Sequence, residues 1–359
     1  MSRDLSFLER LLDAPGPSGF ESRAARVWTA EAEAFAESWS DVVGNSYAAV
    51  RPDARPLVLL AGHIDEIGLQ VTHADKSGLL YFGGIGGWDP QVLVGQRVRV
   101  LGARGDVPGV VGRKAVHLIE PKEREKAAKV KKLWIDVGAG SREELKELGV
   151  RVGDPAVLDA GMVRLAGDRV ASRAIDNRVG AFVVLEALRA VAAGEGRTGV
   201  VAVATAQEEI GYSGGGARAS AFGLSPDVAL VVDVTHATDV PDVDKSEVGE
   251  HSLGGGPVLT RGSVTHPAVF EALAETADAE GVPYSIQAAP LRTGTDADAI
   301  HLARGGVPTG LVSVPNRYMH SPSEMIAVSD LFRTAELLAA FVARIDGGLD
   351  FDRGRIAAR

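Results

Sequence analysis

The sequence predicts an α/β protein with a mainly parallel central sheet flanked by helices, interrupted by a small β-rich, barrel-like insert. Three observations predict it. Apolar, β-branched runs of strand length recur at 57–61, 198–206, 227–234 and 308–314, with helical patterning between them. From about residue 69 to 165 the texture changes to clustered glycines and short alternating runs. At 359 residues, with 45% hydrophobic and 24% charged residues, the chain has enough core-forming sequence for one large domain and a smaller one.

In chain order, residues 4–12 and 21–38 read as helices on either side of the turn-rich Pro15-Gly16-Pro17-Ser18-Gly19. Pro56–Ala61 is an apolar run of buried-strand type leading into Gly62-His63. Inside the 69–165 insert, Gly83, Gly84, Gly86 and Gly87 cluster, and Gln96–Leu101 alternates. Ser141-Arg142-Glu143-Glu144 has capping-box spacing, with Leu145 and Leu148 following and Gly149 as the stop, so one short helix belongs there. After residue 170 a strongly apolar helix covers 180–193, another covers 266–280, and a closing helix covers 329–345. The expected division is 1–68 with 166–359 as the α/β domain and 69–165 as the insert, with a loose tail over Phe351–Arg359.

Composition excludes several classes. With no cysteine there is neither a disulfide framework nor a thiolate metal site, so any metal must be held by His, Asp and Glu, as in catalytic sites. A net charge of −10 argues against a nucleic-acid partner. The basic cluster Lys126, Lys129, Lys131 and Lys132 has Glu123 and Glu125 beside it and reads as a solvated face or loop. Met1–Glu9 lacks the pattern of a signal peptide, and no apolar run reaches membrane-spanning length. The expectation is a cytoplasmic protein with no membrane association.

The acids and histidines are informative by position. His63 and Asp65 follow one predicted strand, Glu208 and Glu209 end a second, Asp233 ends a third, and His320 lies beyond a fourth. Asp176 opens the helix at 180. In open α/β sheets ligands sit outside the carboxyl ends of the strands, so these groups converge if the strands are neighbours. Alone, Asp176-Asn177 would serve as a helix cap, and a single histidine after a strand as a loop residue. Asp233 differs, because a carboxylate closing the buried run Val228–Val232 wants a strong partner. Two histidines and three carboxylates can hold two divalent ions about 3.5–4 Å apart, and a water shared by them would be a hydroxide near neutral pH. Zn²⁺, Co²⁺ and Mn²⁺ all suit this ligand set. A carboxylate outside the ligand set can shuttle the proton, and adjacent Glu208 and Glu209 allow one to face the metal and the other the water. Asp65, two residues from His63 on an extended backbone, is placed to fix the imidazole tautomer.

At these residues the chain resembles the tetrahedral, glutamyl and deblocking aminopeptidases, which are dinuclear metallopeptidases. The matching segments are Gly62-His63-Ile64-Asp65-Glu66-Ile67-Gly68, Ala174-Ile175-Asp176-Asn177-Arg178-Val179-Gly180 and Gln207-Glu208-Glu209-Ile210-Gly211. Asp233-Val234-Thr235-His236-Ala237-Thr238-Asp239, Gly294-Thr295-Asp296-Ala297 and Arg317-Tyr318-Met319-His320-Ser321-Pro322 continue the match in family order. The resemblance implies a zinc-peptidase-like fold in which His63 and Asp233 bind one metal, Glu209 and His320 the other, and Asp176 bridges. It implies Glu208 as general base and acid, Asp65 as the partner that orients His63, and a cis peptide at Asp176–Asn177. It further implies removal of N-terminal residues from short peptides, dimers formed through the 69–165 insert, and assembly into hollow tetrahedral dodecamers. The family also includes proteins labelled endoglucanases. A metal-free glycosidase would leave the histidines without a role, and a non-catalytic assembly module would have no reason to keep every ligand and the base.

Two further features carry alternatives. Thr295-Asp296-Ala297-Asp298 is either a capped helix start, with Asp298 third after Thr295, or a wall of the substrate pocket, as the resemblance favours. Gly83-Gly84-Ile85-Gly86-Gly87 lacks the Gly-Lys-Ser/Thr ending and following helix of a phosphate loop, and reads as β-turn glycine. His236 reads as a loop histidine, and His73, His117, His251, His266 and His301 show no ligand spacing.

Overall fold

The structure, a computed structural model, describes residues 4–124, 126–211, 214–345 and 351. Its frame is an eight-stranded sheet in the order Glu37–Ser40, Ser46–Val50, Gly199–Thr205, Leu57–His63, Val228–His236, Thr309–Asn316, Val258–Gly262, Ser285–Ala289. The four middle strands, Gly199–Thr205 through Thr309–Asn316, run parallel to one another. They are the four apolar runs of the sequence, and nearly every residue in them is buried, as parallel strands covered on both faces require.

Alternate residues of these strands divide into two cores. Val58, Leu60, Val200, Ala202, Leu230, Val232, Val312 and Val314 pack under the helices Ser6–Asp13, Ser22–Ala32, Ile175–Ala193, Pro267–Glu280 and Val328–Ile345. Leu59, Ala61, Val201, Val203, Ala229, Val231 and Leu311 face the shorter helices Gly215–Leu224 and Ala297–Ile300. The period-2 alternation of strands thus feeds both faces from one apolar run.

The sheet departs from a mainly parallel one at its edges. Ser46–Val50 is antiparallel to Gly199–Thr205, Glu37–Ser40 is antiparallel to Ser46–Val50, and Val258–Gly262 is antiparallel to Thr309–Asn316. The first of these edges corrects the helix expected over 21–38. The helix stops at Ala32, and residues 37–40 pair as an edge strand. An Asp41 carboxylate accepting from the backbone of Val43, Gly44 and Asn45 closes the hairpin, and Trp39 stacks on Tyr47 with ring centroids 5.0 Å apart. Cross-strand pairing overrides the helical propensity of an alanine- and glutamate-rich segment.

Between Gly68 and Leu158 six strands close into a barrel around Leu69, Val71, Leu80, Val98, Val100, Leu133, Ile135 and Ala156. Its helix Arg142–Leu148 is capped as expected, with Ser141 Oγ accepting from Glu144 N at 3.2 Å and Gly149 left-handed at φ 82°. Lys126, Lys129, Lys131 and Lys132 are exposed around the turn Val130–Lys132; the neighbouring Glu125 lies outside the described residues. The tail expected to be loose lies outside them too, except for Phe351. A separate three-stranded antiparallel sheet, Val163–Arg164, Arg169–Ser172 and Glu324–Ala327, sets Glu324 opposite Ser172. Among the described residues no helix is long and apolar enough to cross a membrane.

Candidate metal centre and catalytic site

Because the four central strands are adjacent and parallel, their carboxyl ends open on one side of the sheet. His63 is the last residue of its strand, Asp233 lies within Val228–His236, and the turn after Thr205 presents Glu208 and Glu209. His320 follows Thr309–Asn316 by four residues. Asp176 comes from the first turn of Ile175–Ala193, whose backbone lies directly on the His63 strand. A Cβ on Gly62 would stand 2.5 Å from the carbonyl carbon of Gly180. Asn177, not Asp176, caps that helix: its Oδ1 accepts from Gly180 N at 3.0 Å and its Nδ2 donates to Val232 O at 2.7 Å. The Asp176 carboxylate is thereby left to the site. The Asp176–Asn177 peptide is cis, as the resemblance implies. Ala174, Gln207, Tyr318 and His320, all in the loops that deliver these side chains, hold positive φ despite their own side chains, the strain expected where a site is held in place by its surroundings.

His63 Nε2 lies 3.2 Å from Asp176 Oδ1, 3.7 Å from Glu208 Oε2 and 3.8 Å from Asp233 Oδ1. His320 Nε2 lies 3.4 Å from Asp176 Oδ2 and 3.4 Å from Glu209 Oε2. Each oxygen of Asp176 therefore faces a different imidazole. By proximity alone, His63 groups both with Asp176 and Glu209 and with Glu208 and Asp233, the ligand atoms of each set lying within 4.8 Å of one another. The remaining imidazole nitrogens are turned to acceptors: His320 Nδ1 to Gly87 O at 2.8 Å, and His63 Nδ1 to Asp65 O at 3.3 Å and Asp65 Oδ1 at 3.4 Å. With Nδ1–H donating, each Nε2 is the nitrogen left to bind an ion placed between it and the acids.

Behind these acids and histidines stand buried partners. Asp65 accepts from Ser18 Oγ, from Glu208 N at 3.2 Å and from Glu209 N at 3.1 Å, so one carboxylate fixes the loop that carries both glutamates. Glu324 accepts from His320 N at 2.8 Å and from Asp176 N at 3.0 Å. Asp296 is held by Thr205 Oγ1 and, with Thr295, lines a cleft of about 1600 Å³ over the centre. The capping box, one of the two readings of Thr295–Asp298, does not form. Thr295 Oγ1 accepts from Ala297 N, and Asp298 instead accepts from Thr293 and Gly294. His236 and His301 line the cleft, whereas His251 is spent on Ser285 Oγ and Val248 O. Glu324, Ser18 and Thr205 were not anticipated from sequence. Ser18 sits in an ordinary turn motif, and the two acid-binding roles depend on partners far away in the chain.

Charge at the centre is unbalanced. Burial pushes Glu208 up to about 10, with Asp233, Asp296 and Glu209 acting in the same direction against His63. Burial likewise raises Glu209 to about 7, with Asp176 adding to it, and lifts Asp233 well above the usual carboxylate range. Hydrogen bonds to Asp176 and Glu209 raise His320 to about 11. The acids outnumber the imidazoles, and Glu209 Oε1 is buried without a hydrogen-bond partner, a position that costs free energy unless a cation meets it. The residues fit divalent ions. Ligand bonds of about 2.0–2.1 Å at tetrahedral angles place ligand atoms about 3.3–3.4 Å apart, and the His63–Asp176, His320–Asp176 and His320–Glu209 separations are 3.2–3.4 Å.

The chain is similar to several known proteins over nearly its whole length. It is 34% identical to a lysyl aminopeptidase of Pyrococcus furiosus over 345 residues, covering 95% of this chain and 97% of that one. A solved TET aminopeptidase from the marine sediment archaeon Thaumarchaeota archaeon SCGC AB-539-E09 shares 35% identity at a TM-score of 0.90, covering 95% of this chain and 96% of that one. The TET1 peptidase of Pyrococcus horikoshii, described as assembling into a tetrahedron or an octahedral shell, shares 29% identity at a TM-score of 0.84, covering 94% and 98%. A Thermotoga maritima structure described as an endoglucanase shares 27% identity at a TM-score of 0.76, covering 94% and 97%. The M42 glutamyl aminopeptidase profile matches residues 44–337, a span that contains every acid and histidine of the centre. The chain belongs to the M42 glutamyl aminopeptidase family, a family of peptide hydrolases.

Proposed function

We propose that the chain is a metal-dependent aminopeptidase that removes N-terminal residues from short peptides with two divalent ions per chain. The observation that supports this reading is the division of Asp176, one oxygen toward His63 and the other toward His320, each corner completed by a further acid. His63 and Asp233 would hold one ion, His320 and Glu209 the other, and Asp176 both. Zn²⁺ suits the imidazole–carboxylate set best, with Co²⁺ or Mn²⁺ as alternatives. When bound, such ions polarise a carbonyl and bring the pKa of water near neutrality.

The chain's own groups supply positioning and proton transfer. Asp65 holds His63 Nδ1 and the backbone of Glu208 and Glu209. With the charge of the neighbouring carboxylates met by the ions, Glu208 would be ionised; partly open to the cleft, it takes a proton at Oε2 from the attacking water and returns it to the departing amine nitrogen. Asp296 and Thr295 wall the cleft in which the substrate lies. In the same reading residues 1–68 and 166–359 are the catalytic unit. The 69–165 insert pairs two chains, and the dimers build a hollow dodecamer; the TET1 relative is described as assembling into a tetrahedron or an octahedral shell. Sedimentation of the purified protein tests the assembly; a monomer at micromolar concentration would refute it.

The reaction is tested with aminoacyl-p-nitroanilides. EDTA or phenanthroline is expected to abolish hydrolysis, and added Zn²⁺ or Co²⁺ to restore it. Full activity after metal removal would sink the reading. Chelator-insensitive hydrolysis of carboxymethylcellulose would favour the glycosidase that the Thermotoga likeness suggests.

A further inference from the structure

The glycine run Gly83–Gly87, read from sequence as turn glycine, reaches the catalytic centre. Its first three residues end the barrel strand Leu79–Ile85, and Gly86 and Gly87 pass over the site before the helical turn Pro90–Leu93. Gly87 O accepts from His320 Nδ1 at 2.8 Å. Two glycines allow the approach. Gly86 is left-handed at φ 74°, and a Cβ there would stand 2.5 Å from Ile67 Cγ2 and 3.5 Å from Glu209 O. A Cβ on Gly87 would lie 3.4 Å from His320 Nδ1, so the imidazole rests directly on this backbone. Trp88 then anchors the loop, its Nε1 donating to Gly68 O at 2.7 Å. Gly68 directly follows the Asp65–Ile67 segment that leaves the site.

The two imidazoles are thus oriented by different parts of the chain. His63 Nδ1 is turned to Asp65, two residues away on the same strand end. His320 Nδ1 is turned to a backbone carbonyl more than two hundred residues away, on a loop of the barrel. We propose that Gly86-Gly87-Trp88 is a positioning element for His320. It makes occupancy of the His320–Glu209 corner, and not of the His63–Asp233 corner, depend on the inserted barrel. Whatever seats or displaces the barrel is then sensed by one of the two ions. The inference rests on the two-ion reading above.

The test uses the intact, zinc-loaded protein and two substitutions. Trp88→Phe keeps a ring but removes the donor to Gly68 O; Gly86→Ala puts a methyl against Ile67 in a left-handed backbone. Equilibrium dialysis against zinc buffers, with zinc per chain read by atomic emission, gives the two binding constants. Nitrogen NMR of the imidazoles shows which histidine loses its ion. Both variants are expected to weaken the ion at His320 about ten-fold, the size of effect seen when the partner behind a metal-bound histidine is removed. The ion at His63 should be unchanged, and the Nδ1–H signal of His320 should move. Equal weakening of both ions, or no change in either, would overturn the proposal. Should Gly86→Ala fail to fold, Trp88→Phe carries the same comparison. Wild-type protein that binds no zinc would overturn the two-ion reading itself, whereas two ions unaffected by Trp88→Phe overturn only the role of the loop.

Discussion

Glu324 is the residue whose replacement tests the architecture of the centre most directly. Its side chain is buried, and each oxygen is committed: Oε1 accepts from His320 N at 2.8 Å and Oε2 from Asp176 N at 3.0 Å. Burial and the nearby Asp176 carboxylate push Glu324 well above the usual carboxylate range, while these two N–H donors pull it back. Both partners donate, so each oxygen serves as an acceptor. Glu324→Gln has nearly the same shape but only one acceptor, and its amide must meet one of the two backbone N–H groups donor to donor. One buried N–H loses its acceptor, a cost of about 1–3 kcal/mol. If that cost falls on the placement of Asp176 or His320, it converts at about 1.4 kcal/mol per factor of ten into a roughly 5- to 100-fold loss of metal affinity. Zinc retained per chain across a series of chelator buffers measures it. A Glu324→Gln variant that keeps both ions as tightly as wild type and melts at the same temperature would refute the reasoning.

Two further substitutions separate chemistry from scaffold. Glu208→Gln is expected to keep its zinc content and lose about 10²- to 10⁴-fold in kcat, the usual worth of a positioned acid–base; turnover at normal speed moves that role elsewhere. Arg178 is fully buried and donates to Ile64 O, Leu11 O, Leu12 O, Ala14 O and Glu66 Oε1. Arg178→Met leaves Glu66 with Arg173 and the Gly16 N–H and should cost about 3–5 kcal/mol in chemical denaturation; a loss below about 1 kcal/mol would show the cluster to be slack.

Much of this centre is legible in the sequence because of where parallel strands put their ends. Each of the four central strands is one continuous apolar run. His63 ends its run, Glu208 and Glu209 follow theirs by three and four residues, and His320 follows its own by four. The edges are not legible in the same way. Ser285–Ala289 alternates between exposed and half-buried residues, and Glu37–Ser40 is largely solvated, so neither carries an apolar run. Their pairing depends on partners distant in sequence, against local propensity. Glu324 is hidden for a related reason. It acts on backbone N–H groups at Asp176 and His320, and backbone donors leave no trace in residue type.

The Asp176-Asn177 pair shows how a local rule can select the right dipeptide without choosing between its two residues. Either side chain can accept from a helix N-terminus, so capping preference alone does not separate them. The tertiary structure does. The side chain at 177 must accept from Gly180 N and also donate to Val232 O, on the strand that carries Asp233. A carboxylate cannot donate, and would place its charge against that carbonyl in a buried position. The amide therefore belongs at 177, where it ties the helix to the Asp233 strand. The carboxylate belongs at 176, where both oxygens stay free to face His63 and His320. The order of these two residues thus follows from one strand carbonyl, which sequence spacing cannot reveal.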